Sequence, residues 1–83
     1  MDKGFFSLPI GRREQVIEEQ RRKFPKGLRV RLIRMEDAFA PPVGSEGTVC
    51  FVDDAASVHV ALDKGGSLAA LYCVDIIEQV VEK

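Results

Sequence analysis

The chain has 83 residues, 46% of them hydrophobic and 30% charged, with a net charge of −1. A chain of this length makes one small domain that buries about 60% of its unfolded surface, and it is too apolar to be wholly disordered. No run approaches the roughly 20 apolar residues that span a bilayer.

Two cysteines, Cys50 and Cys73, and one histidine, His59, make neither a disulfide framework nor a zinc set. Residues 5–10 are the only apolar run near the N-terminus, and Pro9 interrupts it, so no secretory leader is expected. The expectation is a reduced cytoplasmic protein with no metal and no cofactor. The small net charge conceals a segregation. Residues 1–34 carry ten Lys and Arg against four Asp and Glu, whereas residues 35–83 carry two against nine. Such a pattern serves either a basic face for an acidic partner or pairing between the two halves, and the second is the plainer expectation.

In chain order, residues 1–10 read as a tail, ordered only where its apolar side chains dock on the domain or on a partner. Residues 11–24 are the one helix. They are rich in good helix formers, carry Arg21, Arg22 and Lys23 in the last turn, and are stopped by Pro25 and Gly27. Glu18 with Arg22 and Glu19 with Lys23 stand at the i,i+4 spacing of ion pairs. Val16, Ile17 and Phe24 make a thin apolar stripe, which predicts a helix on the edge of the domain.

Residues 25–83 read as β structure. Alternation over residues 28–34 places Leu28, Val30 and Leu32 on a core face and Arg29, Arg31 and Ile33 on the other. Residues 35–47 are a long excursion holding Phe39 and the Pro41-Pro42 pair, suited to a binding loop or to a lid over an open end of the fold. Phe39 decides between the two, and burial is expected of so large an apolar side chain. Residues 48–52 and 57–62 form a hairpin across Asp53-Asp54-Ala55-Ala56. A two-residue loop there sets Cys50 opposite His59, and a longer loop sets Phe51 opposite it. Asp63-Lys64-Gly65-Gly66 is a clearer turn, and residues 67–72 and 76–81 follow as strands around a tight turn at 73–75. Five short strands in this span predict a mainly β fold: a small closed barrel with one N-terminal helix.

Several stretches then resemble a known family. Residues 27–35 (Gly-Leu-Arg-Val-Arg-Leu-Ile-Arg-Met), 42–49 (Pro-Val-Gly-Ser-Glu-Gly-Thr-Val), Val52-Asp53-Asp54 and Asp63-Lys64-Gly65-Gly66-Ser67-Leu68 are similar to a small SH3-like domain of unknown function. That family is common in bacteria, phages and integrative elements, particularly of Firmicutes. The likeness covers residues 25–81 and implies an SH3-like barrel without an established activity. Leu62 stands where the family usually has an aromatic, Ala55-Ala56 where its Asp-Asp turn usually has a glycine, and Ala70 to Cys73 is less polar than its pattern.

Cys50 and His59 are the only candidates for a thiol-imidazole pair, but neither an orienting group nor an oxyanion donor accompanies them, so no catalysis is expected. Both cysteines read as small apolar core residues. Asp53, Asp54 and Asp63 sit in turns, where Asp bonds its own backbone more often than a cation. Two binding readings remain. In the preferred one, a protein partner is contacted through Phe39, Pro41, Pro42 and Val43, or through the tail at residues 5–10. In the alternative, Arg21, Arg22, Lys26, Arg29 and Arg31 line up along the helix and first strand as a phosphate-binding surface for nucleic acid.

Overall fold

The computed structural model describes residues 4–81. A short 3-10 turn, Phe5–Ser7, precedes α1 (Ile10–Lys23), and five strands follow: β1 (Arg29–Arg34), β2 (Glu46–Val52), β3 (Val58–Leu62), β4 (Ser67–Ala70) and β5 (Ile76–Gln79). Every pairing is antiparallel and the sheet order is β4-β3-β2-β1-β5. Four strands thus meander, and the fifth returns to the free edge of β1.

The expected closed barrel is one hydrogen-bond ladder short. Among the described residues β4 and β5 are not paired, so the sheet is open between them. Two features lie at this opening. The chain leaves β4 in a turn held by Leu71 N–H donating to Asp75 Oδ2 at 2.9 Å and Asp75 N–H donating to Leu71 O at 3.0 Å. Phe24, just past the end of α1, also lines a cleft of about 240 Å³ together with Ala70 of β4 and Ile76 and Ile77 of β5.

The alternation read from the sequence holds on the core face. Val30 and Leu32 of β1, Val49 and Val52 of β2, Val58 and Val60 of β3, and Leu68 and Ala70 of β4 are buried in one cluster with Phe24. Leu28, Met35, Leu62 and Ile77 pack against its rim. Strand β2 breaks strict alternation at one point. Val49 pairs with Val60 but Phe51 pairs with His59, so Cys50 is an extra residue in a β-bulge. The bulge sends Cys50 and Phe51 both outward and returns Val52 to the core. Cys50 is therefore exposed rather than buried, and Cys73, in the turn after β4 with φ of 60°, is exposed as well.

The helix is anchored more deeply than its thin stripe implies. Its bounds differ by one residue from the sequence reading, because Pro9 caps its start and Phe24 its end. Val16 is fully buried in a second cluster with Phe5 and Ala56, with Leu8, Ile17, Ala55 and Tyr72 around it. Few helix residues contribute because other segments come to them: the β2–β3 turn from one side and the N-terminal turn from the other. Gln20 Nε2 donates to Ala56 O at 3.3 Å, and Arg21 donates to Val52 O at 3.1 Å. The predicted Glu18–Arg22 and Glu19–Lys23 pairs do not form; Glu19 pairs instead with Arg12, at 3.7 Å. Within the tail, residues 4–10 are held on the domain, and residues 1–3 lie outside the described residues.

Ala56 explains the unusual Asp-Asp turn. Its φ of 61° lies in the left-handed region that favours glycine. A methyl group there costs about 1 kcal/mol in backbone strain, but it is buried against Val16 and Phe5, which offsets much of the cost. Gly47 answers to a different constraint. A Cβ built there would collide with the Ala61 carbonyl on β3 and come within 2.7 Å of Val60 Cγ1. We therefore expect Gly47→Ala to lower stability by about 1–3 kcal/mol by forcing β2 and β3 apart. A fall in the urea midpoint at unchanged slope would report this.

Candidate functional site

Residues 35–45 join β1 to β2 and are pinned rather than loose. Leu32 N–H donates to Ser45 O and Gly44 N–H donates to Leu32 O, each at 2.8 Å, tying the end of the loop to β1. Ser45 donates to Pro42 O from its amide at 3.0 Å and from its hydroxyl at 2.6 Å. At the other end, Asp37 accepts from Phe39 N–H at 2.9 Å through Oδ1 and from Ala40 N–H at 3.1 Å through its carbonyl. This tight turn aims Phe39 away from the domain. Phe39 is 95% exposed and Val43 72%. The expected burial of Phe39 is thus overturned: the Asp37 turn holds its side chain in solvent.

Pro41, Pro42 and Val43 form one wall of an open cleft of about 520 Å³, and Leu62 at the end of β3 with Asp63 and Gly65 of the β3–β4 turn form the other. Asp63 N–H donates to Glu46 O at 3.0 Å, which sets the two walls side by side. The second wall could not be found from the sequence, where Asp63-Lys64-Gly65-Gly66 signals only a turn. Phe39 stands outside this cleft.

The basic residues have a different surrounding. Arg29 makes a bidentate pair with Asp63, at 2.7 and 2.6 Å, and also donates to Thr48 Oγ1 at 3.0 Å and approaches Glu46 at 3.5 Å. Arg31 lies between Glu46 at 3.4 Å and Glu78 at 3.5 Å. Arg21 adds an ion pair with Asp54 at 3.4 Å to its bond with Val52 O. Arg22 and Lys26 are exposed and make no ion pair among the described residues. The hydrogen bonds and charge of Arg29 hold the Asp63 carboxyl below its ordinary range. On this face the basic first half and the acidic second half neutralise each other. Because these pairs are partly exposed, Arg29→Ala should lower the urea midpoint in dilute buffer, with the difference from wild type narrowing near 1 M salt, where the screening length is about 3 Å.

The β2–β3 register answers the thiol-imidazole question. Phe51, not Cys50, faces His59, and their rings stack with centroids 4.3 Å apart and planes within 10°. His59 Nε2 lies 2.7 Å from Asp53 Oδ2. Asp53 Oδ1 accepts from the amides of Ala55 at 2.9 Å and Ser57 at 3.0 Å, so this carboxylate shapes the turn as the sequence reading anticipated. Asp54 and Asp63 are turned to arginines, and among the described residues no three His, Cys, Asp or Glu side chains are grouped to hold a metal ion.

Partial burial raises the Asp53 pKa, but the His59 bond and the two backbone bonds outweigh it, leaving the group below its ordinary value of 3.8. A depressed carboxylate contributes stability that is complete above its unfolded pKa and disappears as pH falls through the folded one. Asp53→Asn should therefore cost about 1 kcal/mol near neutral pH. Its deficit relative to wild type should shrink from about pH 4 downward, as followed by thermal melts across pH.

These features define a small antiparallel β-domain with a docked N-terminal helix and a projecting apolar loop. The chain belongs to the family described as a domain of unknown function, DUF4314, whose model matches residues 13–80. Comparison with curated proteins and with solved structures finds no match.

Proposed function

We propose that the chain is a non-catalytic SH3-like binding module that contacts another protein through Phe39 and Val43, acting in the bacterial cytoplasm as an accessory of a phage or mobile element. The observation that carries this reading is the loop itself: two large apolar side chains held in solvent on a segment bonded at both ends. An apolar anchor fixed in advance loses little conformational freedom on binding. Pro41 and Pro42 stiffen the same segment, and the cleft beside them offers a second contact for a partner side chain.

The SH3-like reading is supported by the strand order, in which β5 returns to β1, and by a main core built from β1 to β4 with Ile77 of β5 packed against it. The phage or mobile-element setting rests on the sequence resemblance. The absence of catalysis is supported by the bulge that sets Phe51 opposite His59 and by carboxylates already engaged with Arg21, Arg29 and His59. The nucleic-acid alternative has less support, since Arg21, Arg29 and Arg31 are paired internally, leaving Arg22 and Lys26 as the freer cations.

Phe39→Ala combined with Val43→Ser should leave folding stability within about 0.5 kcal/mol of wild type, because both side chains already face water. Cross-linking in a bacterial lysate should recover a protein with the wild type that the double variant fails to recover. Identical recovery by both would defeat the proposal. Salt-sensitive binding of mixed DNA or RNA, reduced by Arg22→Glu with Lys26→Glu, would shift the reading to nucleic acid.

A further inference from the structure

A second apolar surface lies on the far side of the helix, and the chain's own N-terminal turn sits on it. The floor is made by the buried Val16 and Ala56, with Ile17, Ala55 and Tyr72 at its sides. Phe5 fills the floor. Above it, Arg13 acts as a clasp: Nη2 donates to Phe6 O at 2.8 Å and Nε to Leu8 O at 3.0 Å, while the guanidinium lies 5.9 Å from the Phe5 ring and 5.4 Å from the Phe6 ring. The backbone bonds of the turn itself, Ser7 to Gly4 and Leu8 to Phe5, are local.

Two observations separate this groove from its occupant. The groove residues Arg13, Val16, Ile17, Ala55, Ala56 and Tyr72 all lie within the stretch shared with the family, whereas Phe5, Phe6 and Leu8 precede it. The occupant also fills the site incompletely. An apolar cleft of about 200 Å³ remains beside Phe5, bounded by Phe6, Leu71, Tyr72 and Val74. Phe6 itself is 67% exposed and Leu71 48%.

We infer that this groove is a docking site for a short peptide segment of a partner protein, occupied in cis by residues 5–8 until the partner displaces them. The seated turn defines the chemistry of the ligand. An aromatic side chain at one position enters the floor, and the carbonyls one and three residues later accept from Arg13. A further apolar side chain would fill the remaining cleft against Leu71 and Val74. The site is distinct from the Phe39 loop, and neither proposal depends on the other.

Tyr72 borders the groove and is the only tyrosine in a chain without tryptophan, so intrinsic fluorescence reports on this place alone. The test titrates a synthetic peptide with the sequence of residues 4–9 into full-length wild type, Phe5→Ala and Ser7→Pro. Phe5→Ala should give a saturable change in Tyr72 emission. In wild type the cis turn competes, so the apparent affinity should be at least about tenfold weaker, as expected when fewer than one molecule in ten is open. A peptide with alanine in place of its first phenylalanine should produce no change. If Phe5→Ala does not fold by circular dichroism, Ser7→Pro decides, because it removes the turn's own amide and hydroxyl bonds from Ser7 to Gly4 O and leaves every groove residue in place; it should bind the peptide more tightly than wild type. Equal affinity for wild type and the folded variants, no Tyr72 response in any of them, or equal binding of the alanine peptide would overturn the inference.

Discussion

The fold depends on one aromatic ring at the end of the helix. Phe24 enters the cluster built by β1 to β4, on the side where β4 and β5 leave the sheet open. A five-stranded sheet this small cannot bury enough apolar surface on one face without such a cover. The same ring lies at the end of α1, and Val16, about two turns earlier, packs on Ala56 of the β2–β3 turn. At the loop after β1, the turn closed by Asp37 leaves Phe39 in water.

Electrostatics set which surfaces remain available. Strand pairing places Arg29 opposite Thr48 and Arg31 opposite both Glu46 and Glu78, while the β3–β4 turn brings Asp63 to the same face. Cross-strand opposite charges of this kind are weak individually, yet together they occupy the guanidinium groups that a phosphate backbone would need. Large apolar side chains remain exposed at Phe39 and Val43 and separately at Phe6 and Leu71. Proteins of this size seldom leave such side chains exposed in groups without a contact to make.

The β-bulge at Cys50 shows how a single residue redistributes chemistry. Without the bulge, regular pairing onward from Val49 and Val60 would set the Cys50 thiol opposite the imidazole of His59. Instead Phe51 stacks on that ring, and His59 turns to Asp53, which in turn shapes the backbone that presents Ala55 and Ala56 to the helix. Histidine, aspartate and the turn thus form one structural unit that couples the hairpin to α1.

The sequence by itself determined the elements and their faces. Period-two alternation marked Val30 and Leu32 as core and Arg29 and Arg31 as outward, helix formers followed by Pro25 and Gly27 bounded α1, and the Asp-rich turns were legible from local backbone chemistry. What lay between elements was not legible, because it depends on which segments meet. The register at Cys50 turns on a bulge with no local signature, the exposure of Phe39 on a loop bonded back to β1, and the depth of Val16 on two segments arriving from elsewhere. The partners of the arginines were foreseen as a charge balance but not as named pairs. The tertiary structure decided these points because burial is a competition for a limited interior, and a residue's own type cannot say which of its rivals arrives first.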